Sequence, residues 1–296
     1  MKQTVLITGT SSGLGFATAV SLARAGHDVF ATMRSLARSS ELRSLAAAER
    51  LPITILTLDV DSDASVAGAV KSVIDARGRI DVLVNNAGIG LMASIEHMPL
   101  DQFRQVFETN YFGVLRCIKA VLPSMRVQQS GRIVNVSSVA GRIASAGHAA
   151  YASSKFALEA ISDALAAEVR PFNIRVHVIE PAVTQSAIFG KVGDLSGDLY
   201  PGARRLDALF AAALEQPVPA SVVGDLIRDL VASDSWQVRY PAGPAAAPFL
   251  GWRASMTDEQ FVALGALDDD GWCDYIEQTF KLPVRRHLAR AGVSTA

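Results

Sequence analysis

The chain carries only two cysteines, Cys117 and Cys273, in 296 residues, too few for a disulfide framework or a four-ligand zinc site. Its five histidines are scattered and show no HxxxH or similar ligand spacing, so no metal site is expected. Neither sign of charge is in excess. Lys and Arg total 28 against 29 Asp and Glu, a net charge of −1, which argues against a nucleic acid held on a basic face. No apolar run reaches the roughly 18–20 residues that span a bilayer. The opening MKQTVLITGTSSG starts like a short signal peptide, but Thr, Ser and Gly soon break it. Half the chain is apolar and 19% is charged, ample material for a buried core and too little charge for disorder. A soluble, cytoplasmic, metal-free protein is the expectation.

What is present is a repeated alternation. Nearly continuous apolar runs stand at Thr4–Thr8, Val29–Met33, Ile53–Leu58, Val82–Val84, Ile133–Val136 and Val176–Ile179. Runs of this kind read as strands buried on both faces of a parallel sheet. Helical patterns lie between them, among them Leu14–Ala25, Ala64–Ala76, Phe103–Met125 and Ala149–Val169. Repeated βα units predict an α/β fold, a doubly wound, Rossmann-like parallel sheet with helices on both faces. Residues 1–296 read as one such domain, with a core over about 2–240, a substrate lid over about 185–216 and a C-terminal extension over about 251–296. The lid pattern is helical but broken at Gly190, Gly193, Gly197 and Pro201. Beyond it, a helix is expected over Ala220–Ala232, a short strand near Gln237–Tyr240 and a loop at PAGPAAAP. Thr257 and Gln260 form a capping box for a helix toward Leu267. Trp272, Tyr275, Ile276 and Phe280 suit the apolar face of one more helix, read as core or subunit packing ahead of substrate contact.

The first strand runs into a helix through TGTSSGLG, with Gly9, Gly13 and Gly15 in a G-x-x-x-G-x-G spacing. Glycine lets a diphosphate approach the backbone without meeting a Cβ, and the following helix presents free N–H groups to it. Ser11 and Ser12 add hydroxyl donors. After the second strand, where an acidic residue would bind a ribose 2′-hydroxyl, the chain reads Met33-Arg34. Arg34 can offer a charge-assisted fork to a 2′-phosphate, so NADP(H) is favoured, with NAD(H) as the alternative.

Tyr151 and Lys155 in YASSK stand four apart in a predicted helix, which puts them on one face. A lysine cation at ~4 Å is worth ~4 kcal/mol of attraction, enough before desolvation to bring a phenol from about 10 to about 7. Ser138 lies just past the carboxyl end of a buried strand, the edge where open α/β sheets bind ligands, and can donate to the same substrate oxygen. Asn110, in ETNYFG, is a poor propensity choice inside a helical pattern; it holds a water beside Lys155 or bonds the helix backbone.

With TGTSSGLG, LDV, NNAG, ETN, VNVSS and YASSK in order, residues 2–240 resemble the short-chain dehydrogenase/reductase family. The resemblance implies a catalytic set of Asn110, Ser138, Tyr151 and Lys155, with Tyr151 as acid/base and Lys155 also holding the nicotinamide ribose. It implies that Gly9, Ser11, Ser12, Gly13, Leu14 and Gly15 hold the phosphates. Asp59 and Val60 would flank the adenine, while Asn86, Ala87 and Gly88 would lie beside its ribose. Thr184 and Ser186 would hold the carboxamide. The family's usual Pro-Gly after the sixth strand is Pro181-Ala182 here, which implies a local difference in that turn, since alanine does not readily take positive φ. The ATMR stretch is similar to the hydroxysteroid and retinol dehydrogenase branch. That likeness implies a bulky, apolar alcohol or carbonyl substrate, with Met92, Val139, Phe189 and Phe210 as pocket wall, and a homodimer or homotetramer. A silent dinucleotide sensor and a nucleotide-sugar epimerase or dehydratase stay open as rivals. The tail from about Gly251 carries no legible function.

Overall fold

Residues 2–185, 188 and 199–291 are described in a computed structural model of the chain. Ser186, Phe189, Gly190, Gly193 and Gly197 lie outside these described residues. Seven strands form one sheet: β1 (Thr4–Ile7), β2 (Asp28–Met33), β3 (Ile53–Thr57), β4 (Val82–Asn85), β5 (Gly131–Val136), β6 (Ile174–Pro181) and β7 (Arg239–Ala242). Their order is β3-β2-β1-β4-β5-β6-β7, and every neighbouring pair is parallel. The chain order reverses between β1 and β4, which opens a crevice at the carboxyl edge of the sheet.

Strand pleating explains the unbroken apolar runs. Leu6, Phe30, Leu83 and Ile133 point to one face, under helices α3 (Asp63–Arg77), α5 (Gly113–Gln128) and α6 (Ala149–Val169). Val5, Ile7, Val29, Val84 and Val134 point to the other, under α1 (Gly13–Arg24), α2 (Ser40–Glu49) and α8 (Ala220–Ala232). A strand covered on both sides has no solvent face on which to carry polar residues.

Three stretches differ from the sequence expectation. Phe103–Met125 is not one helix: α4 (Leu100–Phe107) passes through a π-helical turn, Glu108–Phe112, into α5. Hydrophobic periodicity does not register a single widened turn, and such turns gather at functional sites. PAGPAAAP is loop only over its middle, because β7 extends to Ala242 and α9 (Ala246–Ala254) begins at Ala246. Pro248 falls in the first turn of α9, where a missing N–H costs nothing. The helix after Thr257 is short: α10 (Asp258–Ala263) has both reciprocal capping-box bonds, 3.2 and 2.9 Å, and ends in a 3₁₀ turn at Leu264–Ala266. Helices α7 (Pro201–Ala213), α11 (Asp269–Phe280) and α12 (Arg285–Ala291) are the remaining α-helices among the described residues.

Candidate active site

The turn after β1 is fixed by backbone conformation. Gly9 and Gly13 have φ of +71° and +59°, a region that glycine enters without strain. A Cβ on Gly9 would lie 2.8 Å from the Ala87 Cα, and one on Gly15 would lie 2.3 Å from both the Gly9 carbonyl oxygen and Asn86 Nδ2. The end of β4 clamps the turn in place. Asn86 Nδ2 donates to the Thr8 and Gly9 carbonyls at 2.9 Å, and Thr8 Oγ1 accepts the Asn86 and Ala87 N–H groups at 3.0 Å. Ser11 is half-buried, and Leu14 packs on the core beneath α1. Ser12 is exposed, begins α1 and makes no capping bond; the first turn of α1 holds no acidic residue.

Arg34 is exposed just past β2, and its charge is felt by Asp61. Asp61 was not singled out from the sequence. Burial pushes its carboxyl up, Asp59 and Glu108 add to the rise, and a bond from Thr109 Oγ1 at 3.0 Å opposes it. Its Oδ1 is buried with no hydrogen-bond partner. Asp59 accepts the Asp61 N–H at 3.2 Å, and Val60 packs against Gly113. No short motif marks Asp61, because its neighbours come from β2 and the π-helical turn.

Asn110, Ser138, Tyr151 and Lys155 gather at the carboxyl ends of β4, β5 and β6, and all are buried. The π-helical turn swings Asn110 inward. Its Oδ1 accepts the Ile89 N–H at 2.9 Å, while Nδ2 donates to the Ile89 carbonyl at 2.9 Å and to Ser154 Oγ at 3.1 Å. Both amide protons are thus used, tying the chain after β4 to α6 rather than to the helix that carries Asn110. Gly88 lies against the same side chain, where a Cβ would stand 3.2 Å from Asn110 Oδ1. Ser138 Oγ accepts the Ala140 N–H at 3.1 Å, capping a 3₁₀ turn, and donates toward the Pro181 carbonyl at 3.4 Å.

Lys155 Nζ donates to the Val136 carbonyl at 2.8 Å and stands 5.6 Å from the centre of the Tyr151 ring. Here the electrostatics correct the sequence argument. The phenol of Tyr151 is pushed up to about 12 by burial, against a smaller downward pull from its hydrogen bond with Ser138. Lys155 is pushed down to about 8 by burial, which the charge of Glu159 opposes. Four-residue spacing reports a shared helix face; it does not report desolvation, which is the largest influence on the phenol here.

His148 is the second group that sequence reasoning missed. It is 4% exposed and stacks on the Tyr151 ring at 4.7 Å and 16°, with Phe210 edge-on at 5.7 Å. Burial pushes its imidazole down to about 4, and its Nε2 has no partner. Its place one turn before Tyr151 was the only available signal.

A cavity of about 860 Å³ opens beside these groups, with Ser138, Val139 and His148 at one end and Phe210 on its wall. Met92 lies behind that wall, packed on Leu206 and Phe210. Trp272, Tyr275, Ile276 and Phe280 face the cavity as well as packing on α7, so the packing role expected for them is only half of their setting. Thr184 is buried just past β6. Ala182 is not among the residues with positive φ, and its N–H donates to the Ala242 carbonyl at 3.3 Å, continuing the pairing of β6 with β7. Extended backbone at that point has no need of glycine.

A family model described as short chain dehydrogenase matches residues 3–195. Retinol dehydrogenase 8 of Bos taurus is 44% identical over 206 residues, a match that covers 68% of this chain and 65% of that protein. The chain thus spans slightly less than two-thirds of that relative's length. A crystal structure of a short-chain dehydrogenase from Streptomyces avermitilis is 31% identical with a TM-score of 0.77, covering 90% of this chain and 99% of that one. An NAD+-bound xylitol dehydrogenase is 28% identical with a TM-score of 0.71, covering 82% and 98%. On the family match together with this agreement in sequence and fold, the chain belongs to the short-chain dehydrogenase family.

Proposed function

We propose that the protein is a nicotinamide-dependent oxidoreductase that interconverts a bulky, apolar secondary alcohol and its ketone, or a primary alcohol and its aldehyde. The observation that carries this reading is the convergence of Ser138, Tyr151 and Lys155 beside a largely apolar cavity, which Ser138 and the His148 ring stacked on Tyr151 line. The name of the retinol dehydrogenase relative supports the apolar alcohol, and that of the NAD+-bound xylitol dehydrogenase supports the nicotinamide cofactor.

The turn after β1 fits a dinucleotide: left-handed Gly9 and Gly13 clear it of side chains, and uncapped N–H groups of α1 face the space above it. In this reading Gly9, Ser11, Ser12, Gly13, Leu14 and Gly15 cradle the diphosphate. Asp59 and Val60 would flank the adenine, Asn86 to Gly88 would lie by its ribose, and Thr184 would hold the carboxamide; Ser186, the other residue expected there, lies outside the described residues. Arg34 takes the 2′-phosphate, which makes NADP(H) the preferred form over NAD(H). A bound nicotinamide supplies or accepts the hydride at the substrate carbon.

The chain's own residues handle the proton. Tyr151, whose phenol keeps its proton at neutral pH, gives it to the carbonyl oxygen during reduction and takes it back during oxidation. Ser138 donates a hydrogen bond to the same oxygen as charge develops there. Lys155 is charged at neutral pH, and its field steadies the phenolate that remains. Asn110 orders α6 by holding Ser154 and Ile89. Helix α7 forms the described part of the lid. Phe112 at the start of α5 and Phe156 on α6, 45% and 42% exposed, support a homodimer or homotetramer built through these helices. Two buried free thiols support a cytoplasmic setting, and no helix among the described residues is long and apolar enough to cross a membrane.

The test is a panel of bulky apolar ketones and aldehydes mixed with NADPH or NADH, followed by the loss of reduced-nicotinamide absorbance. Consumption of cofactor is expected with NADPH above NADH. Dinucleotide binding with no turnover across the panel would replace this reading with that of a sensor.

A further inference from the structure

We propose that the C-terminal helices α9 to α11 form a length gauge for the substrate, selecting an elongated hydrocarbon-bodied alcohol or ketone that reaches from Ser138 to the wall around Trp252 and Tyr275. The proposal rests on the oxidoreductase reading and names its substrate class. The match to the family model ends at residue 195, so every residue of this wall lies outside it.

The cavity is continuous from the reacting end to the tail. Ser138 and His148 line one part, and Phe249, Trp252, Phe261 and Tyr275 line another. The largest charged group on its lining is already engaged: Arg205 is buried and gives its donors to the Asp269 carboxylate at 2.9 Å and the Leu267 carbonyl at 2.8 Å. Apolar and aromatic side chains prevail on the described lining, where Ser94, Ser145 and Tyr200 are the further hydroxyl carriers and Tyr275 Oη accepts the Trp252 Nε1–H at 2.7 Å. At about 860 Å³ the space suits a ligand of drug-like size. A short alcohol would leave most of the aromatic surface wet, whereas a long chain displaces that water.

The wall is also held in shape before any ligand arrives. Trp252 meets Phe280 edge-on at 5.1 Å and Phe261 at 5.8 Å, and Phe249 packs on Phe280 at 4.4 Å. Helix α11 is docked on α7 through Arg204 and Arg205 to Asp269, and through a cluster of Ala208, Ala212, Cys273 and Ile276. A wall fixed in this way sets a distance; a loose one would adapt to any length.

Two of the three tryptophans, Trp252 and Trp272, line the cavity, while Trp236 stacks under Arg170 elsewhere, so binding can be read without turnover. The experiment titrates straight-chain secondary alcohols, from hexanol to hexadecanol length, into the full chain carrying Trp236→Phe and follows tryptophan emission. Affinity should rise roughly fourfold per added methylene until the chain meets the wall. The emission change should appear only with the longer members. In Trp252→Ala, read through Trp272, affinity for the longest alcohol should fall at least tenfold while the shortest stays within twofold. Tyr275→Phe, which removes only the hydroxyl that holds Trp252, should give a smaller loss in the same direction and covers the case in which Trp252→Ala does not fold. An unchanged chain-length series in both variants, or long alcohols that bind without altering emission, would overturn the gauge. Tail-dependent binding without any turnover would sink the oxidoreductase reading and leave the gauge standing; turnover indifferent to length and to the tail would do the reverse.

Discussion

The turn after β1 and the far wall of the cavity are built by opposite means. The turn is backbone: two left-handed glycines and a glycine whose missing Cβ makes room for Asn86, all within fifteen residues of the start except for the β4 clamp. The wall is side chain: aromatic rings from α9, α10 and α11, joined by edge contacts and by one indole–phenol hydrogen bond. Backbone cradles recognise what many ligands share, a phosphate, and tolerate almost no substitution. Packed side chains recognise shape, and each ring can change without the fold being lost. The general and the particular parts of the site are therefore separate in the chain, meeting near Ser138 and His148, which line the cavity beside Tyr151.

Substitutions can test each side of that contrast. Ser138→Ala should lower kcat by about a hundredfold, the usual cost of removing a donor to a developing oxyanion, with little change in dinucleotide affinity. A loss of only a few fold would make Ser138 a turn cap and nothing more. The next effect is on stability in acid. His148 titrates at about 4 in the folded chain against an ordinary 6.5, so the unfolded chain takes up a proton that the folded one refuses. Its stabilising share is complete above about 6.5 and is lost as pH falls toward 4, up to about 3 kcal/mol. Urea midpoints of the native chain and His148→Phe should converge or cross over that window; parallel curves would mean that the imidazole does not titrate there.

Arg34→Asp should weaken NADP(H) by roughly tenfold or more relative to NAD(H), the scale of a charge-assisted bond. An unchanged ratio in cofactor titrations would place the 2′-phosphate elsewhere. Gly15→Ala should cost about 1–3 kcal/mol by crowding the Gly9 carbonyl and Asn86. Gly68→Ala, with nothing within 4 Å of its Cβ, should leave the melting temperature unchanged or slightly higher. Equal effects at the two glycines would mean that the clamp carries no strain.

The glycine turn, the strands and YASSK were legible in the sequence because each is a local statement: a φ that glycine allows, a run buried on both faces, two side chains one helical turn apart. Asn110 was legible as a residue but not as geometry, since a π-helical turn leaves no mark in a 3.6-residue pattern. Asp61 and His148 were missed because what distinguishes them is burial among groups from distant elements. The phenol's acidity was misjudged for the same reason: spacing gives the attraction between Tyr151 and Lys155, and only the fold gives the desolvation. The tail was silent because its meaning lies in what its rings face, and that depends on α7 docking against α11.

The central claim is that one phenolic oxygen, held beside an apolar cavity, moves the proton. Its most direct test is Tyr151→Phe, which removes that oxygen alone, assayed for reduction of a bulky apolar ketone at saturating NADPH beside a direct titration of dinucleotide affinity. The account predicts an intact fold, affinity within a few fold, and turnover lower by at least about a hundredfold. Turnover equal to that of the native chain would contradict it.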